Sequence, residues 1–230
     1  MNWIGFFLGS LAAALLAIVP IVNPFGAVPL VISASGHLPE QERLRQIRRA
    51  CVYTFFLMAG FLVAGSLIMN FFGISLPGMR IAGGLIVAFL GFQMLFPNPI
   101  SDKEAMTKAA GEKYDIAFTP LAMPGLSGPG TFAVVMSLSS QAASHPGARN
   151  VVAFLGVLTA ILLTALLSWF VLRGAERVNR LLGATGMVAL TRLTGFLMIS
   201  IGVQFLINGL TMILDDPAFW RGLAEAIRTP

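Results

Sequence analysis

Two short stretches rich in helix breakers decide the fold: residues 20–26 read PIVNPFG, and residues 124–131 read PGLSGPGT. Each lies inside an unusually long apolar run, at about 3–35 and 116–143. At 1.5 Å per residue, straight helices over these runs would measure about 50 and 42 Å, more than the roughly 30 Å of bilayer hydrocarbon. We therefore predict two membrane helices, the first and the fourth, each broken near the midplane.

The rest of the chain also has the composition of a membrane protein. Hydrophobic residues make up 57% of the 230 residues and charged residues only 11%, which is too little charge for the surface of a soluble domain. Four further apolar runs lie at about 50–72, 76–96, 151–172 and 193–214, and they are continuous instead of alternating with period two. The sequence predicts an all-α, polytopic membrane protein with six transmembrane helices in a single transmembrane domain, 1–230.

The two breaker stretches align with each other, and the last helices of the two halves align as well. RIAG at 80–83 and GFQ at 91–93 match RLTG at 192–195 and GVQ at 202–204. Because each half has three spans, the second half must enter the membrane from the opposite side. The chain is therefore predicted to form two inverted-topology repeats of three helices, about 1–97 and 116–214, as in many secondary transporters.

Basic residues cluster in alternate connections between the apolar runs: Arg43, Arg45, Arg48 and Arg49 in the first, Lys103, Lys108 and Lys113 in the third, and Arg173, Arg177 and Arg180 in the fifth. The positive-inside rule makes these connections cytoplasmic, so we expect the N- and C-termini outside, in the periplasm. Since the basic residues do not lie along one polar face, the net charge of +5 does not indicate a nucleic acid partner.

The breaker stretches are also the predicted binding site. Pro24 suits the first position of a new half-helix with Asn23 as its cap, and Ser127 can cap near Pro129 in the same way. The N-termini of half-helices expose N–H groups and a partial positive charge, which favour a carboxylate. No Asp or Glu falls inside a predicted span, so we expect freed carbonyls and the Asn23 oxygen to hold an ammonium group or Na⁺. Static kinks are the alternative interpretation.

The remaining polar residues of the spans have two interpretations each. Gln93, Gln204 and Asn208 are expected to face protein, either as hydrogen-bonding groups between helices or as the lining of a path. Arg80 and Arg192 are expected at opposite ends of the bilayer, where they either extend their side chains to the interface or act as a gate that attracts anions.

Residues 125–128, GLSG, match the serine element of intramembrane proteases, but no predicted span offers a base that could activate Ser127. We therefore predict that the chain is not an enzyme. It also shows no set of His, Cys and carboxylate residues with ligand spacing, so neither a metal site nor a cofactor is expected.

Several motifs together resemble the MarC family: the Asn23-Pro24 stretch, FGISLPGMRIAGG at 72–84 with LFP at 95–97, PLAMP at 120–124 with GPGT at 128–131, and GVQFLING at 202–209. The resemblance implies six spans in a bacterial inner membrane. The related SnatA-type transporters move small neutral amino acids with an ion gradient. The resemblance also implies a site at the two broken helices, which maps here onto Asn23, Pro24, Gly26, Gly128, Pro129, Gly130 and Thr131.

The resulting hypothesis is a secondary transporter that binds a small neutral amino acid near the midplane, with coupling to Na⁺ or H⁺ left open. Its expected partners are the lipid bilayer and a small-molecule substrate, and an oligomer is left open. The alternative is a non-transporting scaffold or assembly protein, in which both breaker stretches serve packing only.

Overall fold

The computed structural model describes residues 3–36, 38–96, 115–217 and 219–221, and within these ranges every regular element is helical. The helices are α1 (Trp3–Val22), α2 (Val28–Ser35), α3 (Glu40–Phe71), α4 (Leu76–Leu95), α5 (Ala117–Leu126), α6 (Pro129–Ala143), α7 (Ala148–Arg173) and α8 (Ala175–Leu214). The predicted basic third connection, with Lys103, Lys108 and Lys113, lies outside the described residues.

The helices bear out the prediction of an all-α polytopic membrane protein. In the described ranges, α1, α3, α4, α7 and residues Thr185–Leu214 of α8 are each long and apolar enough to cross a membrane. Helices α5 and α6 make a sixth span when they are taken together across a bend of 63°. Large apolar side chains on the outside, such as Leu16 and Val63, each 76% exposed, are those expected to face lipid.

The first break follows a helix that is long enough to cross the hydrocarbon by itself. Helix α1 has 20 residues, which corresponds to about 30 Å. Since α1 alone has the length of a span, the break of the first helix near the midplane stays a prediction. The chain then turns over residues 23–27 and forms the short helix α2 before α3 begins. The second break instead separates α5, with ten residues, from α6, with 15.

Local sequence explains where the later helices begin. Ser75 caps α4 by accepting a hydrogen bond from the Gly78 N–H at 3.2 Å, and Pro77 stands in the first turn. Helix α8 is interrupted at Gly183, whose φ of 62° is a conformation that favours glycine.

Helices α4 and α8 pack closely through facing glycines. A Cβ on Gly84 would lie 2.6 Å from the carbonyl oxygen of Gly202, and a Cβ on Gly91 would lie 2.6 Å from that of Gly195. Only glycine permits such an approach of two backbones. Because the earlier glycine of α4 faces the later glycine of α8, the two helices run antiparallel.

The first helices of the two halves exchange partners. Helix α1 packs on α7, where a Cβ on Gly156 would lie 2.9 Å from the Cβ of Ser10. Helix α6 packs on α3, where Phe61 stacks on Phe132 at 4.2 Å between ring centroids. The first helix of each half therefore packs on the middle helix of the other half, which is α3 or α7. An inverted repeat favours this arrangement. The inverted repeat itself stays a prediction.

Candidate functional site

A cavity of about 340 Å³ lies between the two breaks. The end of α1, the turn after it and the start of α2 form one side, and the break between α5 and α6 forms another. The last two turns of α4 and residues Thr191 and Met198 of α8 complete the wall. The cavity therefore depends on both predicted breaker stretches and on the helix pair joined by glycines.

The structure brings some of the predicted site residues to this cavity and leaves others beside it. Those that line it are Asn23, Gly26, Gln93, Gly128 and Thr131. Those that belong to the breaks without lining the cavity are Pro24, Ser127, Pro129 and Gly130.

The first break is a turn held by the side chain of Asn23. This residue has a φ of 46°, in the left-handed region that asparagine tolerates better than most residues. Its Oδ1 accepts a hydrogen bond from the Gly26 N–H at 3.0 Å, and its Nδ2 donates to the sulfur of Met94 at 3.6 Å. The Asn23 side chain therefore holds the turn together and links it to α4.

The prediction that Pro24 begins a half-helix capped by Asn23 is wrong. The new helix α2 begins at Val28, with Pro29 in its first turn, and its N-cap residue Ala27 offers no side-chain hydrogen bond. Because the Asn23 oxygen satisfies an N–H only three residues further on, the chain first closes a tight turn and becomes helical afterwards.

The second break has a wider backbone path. Within α5, Thr119 and Met123 take extended φ and ψ values instead of helical ones. The backbone N–H of Ser127 donates to the Ala122 carbonyl at 2.8 Å, and the Ser127 hydroxyl donates to the same oxygen at 2.8 Å. The prediction that Ser127 caps the following half-helix is therefore wrong: the side chain is fully buried, and it satisfies its hydroxyl on the preceding segment.

Helix α6 begins without a side-chain cap. Its N-cap residue is Gly128, and Pro129 has no N–H. The first helical hydrogen bond runs from the Phe132 N–H to the Gly128 carbonyl at 3.1 Å, so the N–H groups of Gly130 and Thr131 have no partner inside the helix. Since Gly128 and Thr131 line the cavity, this uncapped N-terminus borders it.

The Thr131 side chain adds a hydroxyl at the same place. Thr131 is only 3% exposed, and its hydroxyl makes no hydrogen bond to any described residue. Because Thr131 lines the cavity, a water molecule or a ligand there can satisfy this hydroxyl. The N–H and the hydroxyl of Thr131 therefore lie at the cavity, and the Gly130 N–H belongs to the same uncapped first turn. Helix N-termini with free donors of this kind bind anions.

The cavity wall contains no charged side chain among the residues described. Its polar side chains are those of Asn23, Gln93, Thr131 and Thr191. Ile21 and Val22, the last residues of α1, line the cavity, and no described residue of the break donates a hydrogen bond to their carbonyl oxygens. The negative end of one helix dipole and the positive end of another therefore border the same space.

The proposed path residues of α8 lie elsewhere. The Gln204 Nε2 donates to Asn208 Oδ1 at 2.9 Å, and both side chains are exposed. The expectation that these two residues face protein is wrong, because two polar side chains one helical turn apart satisfy each other on the outside.

Arg80 and Arg192 do not line the cavity either. Arg80 is half-buried in the first turns of α4, while Arg192 is exposed on α8. Since Gly195 packs beside Met94, Arg192 lies near the other end of α4.

Sequence reasoning missed the apolar part of the wall. Leu30, Leu90, Met94 and Met198 line the cavity, but in the sequence they resemble any other apolar residue of a membrane helix. Only the packing of α4 and α8 against the breaks distinguishes them.

The relationship to known proteins extends over nearly the whole chain. Residues 8–214 match the family described as MarC family integral membrane protein. The chain belongs to the MarC family. It is 40% identical over 211 residues to the UPF0056 inner membrane protein MarC of Salmonella typhimurium, which covers 89% of this chain and 96% of that relative. The protein of the same name from Escherichia coli O1:K1 is 39% identical with the same coverage.

As a MarC family member, the protein is a multi-pass protein of the bacterial inner membrane. No solved structure is significantly similar to the chain.

Proposed function

We propose that this MarC family protein is a secondary transporter of small neutral amino acids. The observation that carries the proposal is the uncapped N-terminus of α6, with the unpartnered Thr131 hydroxyl, on a cavity whose described wall has no charged side chain. Such a site favours a solute that carries its own negative group and no net charge.

The carboxylate of the substrate binds at the start of α6. The N–H and the hydroxyl of Thr131 donate to its oxygens, and the free Gly130 N–H lies in the same first turn. Hydrogen bonds to a charged group contribute roughly 1.5–3 kcal/mol each when they replace a desolvated, unpaired donor. The partial positive charge of the helix N-terminus adds to this attraction.

The ammonium group of the substrate lies at the end of α1. Ile21 and Val22 line the cavity there, and their carbonyl oxygens form the negative end of the helix dipole. The same oxygens accept Na⁺, a cation that prefers oxygen ligands. Because no titratable side chain lines the described wall, coupling to Na⁺ fits this site better than a proton relay.

The size and apolar wall of the cavity restrict the substrate side chain. A volume of about 340 Å³ lies at the small end of ligand pockets. Leu30, Leu90 and Met198 offer apolar surface, so a charged side chain such as that of lysine or glutamate would lose its hydration without gaining a partner. Glycine, alanine, serine and threonine are the expected substrates.

We propose further that both termini are periplasmic and that the arginines at the start of α3 and at the α7–α8 junction are cytoplasmic. The support for this orientation is the distribution of basic residues in the sequence.

The test is the thermal stability of the purified protein in detergent with single amino acids, with and without Na⁺. A ligand at 100 times its Kd adds about 2.7 kcal/mol to the free energy of unfolding. We expect stabilisation by small neutral amino acids and none by lysine or glutamate. Thr131→Val keeps the shape of the side chain and should weaken binding roughly tenfold to a hundredfold.

The matched control is Thr211→Val, because Thr211 is exposed on α8 and donates only to the Ile207 carbonyl. It should bind like the wild type. If no amino acid stabilises a folded wild type, the amino acid assignment fails, and a non-transporting scaffold becomes the better interpretation. If Thr131→Val binds as tightly as the wild type, the carboxylate does not bind at α6.

A further inference from the structure

A second pocket, far richer in charge, lies where the start of α3 meets the junction of α7 and α8. It measures about 490 Å³, and its charged lining consists of Glu40, Arg43, Arg173, Glu176, Arg177 and Arg180. Arg43 binds Glu176 with 2.5 Å between Nη1 and Oε1. Arg173, Arg177 and Arg180 form no ion pair with any residue that the structure describes, so three arginines face the one remaining carboxylate, Glu40.

An apolar groove runs beside this basic pocket, between α3 and α7. It has a volume of about 350 Å³ and is lined by Val52, Phe55, Phe56, Leu162, Leu166 and Trp169, among others. Arg48, an exposed side chain without an ion pair among the described residues, stands at its edge. The groove faces outward, as its half-exposed leucines show: Leu162 is 45% exposed and Leu166 is 44% exposed.

One pair of residues joins the pocket to the groove. Trp169 lines the groove, and the guanidinium carbon of Arg173 lies 5.2 Å from the centroid of its ring. Arg173 itself lines the basic pocket. A cation stacked on tryptophan in this way keeps its N–H groups available for an anion. The surface therefore offers positive charge and apolar area in direct succession along one side of the protein.

We propose that the basic pocket and the apolar groove together bind one anionic phospholipid. The phosphate of the headgroup contacts Arg173 and Arg177, and one acyl chain lies along the groove. A tryptophan with a basic neighbour is typical of the depth at which lipid headgroups begin. Basic residues near a membrane surface attract anionic lipids, and an exposed apolar groove on a membrane helix pair has lipid as its natural occupant.

The experiment measures lipid binding to the purified protein by native mass spectrometry and by thermal stabilisation. Phosphatidylglycerol is compared with phosphatidylcholine of identical acyl chains, and glycerol 3-phosphate tests a soluble anion without chains. We expect phosphatidylglycerol to bind more tightly than phosphatidylcholine. The Arg173→Gln, Arg177→Gln double variant should weaken the binding of phosphatidylglycerol about 30-fold and leave the binding of phosphatidylcholine unchanged.

Two further variants separate charge from shape. Leu166→Trp fills the groove and leaves the arginines in place. It should weaken the binding of both phospholipids. Arg221→Gln is the control for charge, because Arg221 is exposed and lies beyond the other end of α8; it should change nothing.

Equal binding of the two phospholipids to the wild type would overturn the proposal, as would equal protection by glycerol 3-phosphate. Both comparisons use the wild-type protein, so they test the proposal even if the double variant does not fold. The readout contains no amino acid, so its outcome is separate from that of the transport proposal.

Discussion

The two breaks in the chain look alike in sequence, but the structure treats their polar groups in opposite ways. At the first break, the Asn23 side chain accepts from the Gly26 N–H and donates to Met94, so the turn satisfies itself. At the second break, Ser127 turns back to the Ala122 carbonyl, and α6 begins without a cap. Helix α2 also begins without a side-chain cap, but the Val28 N–H donates to the Phe25 carbonyl. Among the described residues, the first break therefore leaves the Ile21 and Val22 carbonyls as free acceptors, and the second presents free donors.

The difference shows what a proline motif does and does not predict. Proline ends a helix because it lacks an N–H and clashes with the preceding turn, but it does not determine which group satisfies the freed donors. Asparagine can do so from its own side chain. Residues 128–130, GPG, have no polar side chain for the purpose. An anion site is therefore expected at the second break alone.

Gly26→Val should cause the largest loss of stability, because it disturbs the turn at the first break. A Cβ at Gly26 would lie 2.7 Å from the Cγ of Asn23, and all of its nearest neighbours belong to that side chain. We expect a loss of about 3 kcal/mol in the free energy of unfolding, at the upper end of overpacking costs. Thermal unfolding in detergent measures it.

The control for this prediction is Gly9→Ala on α1, where an added Cβ meets nothing within 4 Å. It should be neutral or slightly stabilising. Because the clash involves only Asn23, the Asn23→Ala, Gly26→Val double variant should be less damaged than the two single losses combined. Additive losses would show that the turn is not held by Asn23.

Asn23→Ala should cost less, about 2 kcal/mol. It removes the hydrogen bond to Gly26, worth roughly 1 kcal/mol, and places alanine at a φ of 46°, which costs roughly another 1 kcal/mol. Asn23→Gly separates the two contributions, because glycine takes this φ freely and should recover about half of the loss. A wild-type melting temperature for Asn23→Ala would contradict the structural role.

Thr131→Val should have the smallest effect on stability, in contrast to its effect on ligand binding. The hydroxyl has no partner among the described residues, so its replacement by a methyl group of similar shape removes no hydrogen bond from the protein. We expect the free energy of unfolding without ligand to stay within about 1 kcal/mol of the wild type, unchanged or raised. A large loss would mean that Thr131 supports the fold instead of the substrate.

The membrane class and the positions of both breaks along the chain could be predicted from the sequence. Long apolar runs with little charge are incompatible with the surface of a soluble protein. The proline-rich stretches at residues 20–29 and 120–129 favour helix ends, although Pro20 itself lies inside α1. These are local properties, so they do not depend on the rest of the fold. Four residues of the cavity wall at the breaks, Asn23, Gly26, Gly128 and Thr131, were predicted together with Gln93 of α4.

The roles of these residues could not be predicted in the same way. Whether Asn23 caps a helix or closes a turn depends on a difference of a few kcal/mol between two local hydrogen-bond patterns, and the position of Met94 contributes to that difference. Gln204 and Asn208 were expected to face protein, but either orientation of α8 leaves them able to pair with each other.

The sequence by itself therefore determined that this protein lies in a membrane, where its helices run and where they break. Composition and proline have these effects locally, within a few residues. Only the tertiary structure decided which break keeps free donors and which apolar residues of α4 and α8 close the cavity. Those outcomes depend on how far apart two helices pack. Here the facing glycines of α4 and α8 set that distance, and their carbonyl contacts join residues more than 100 positions apart in the chain.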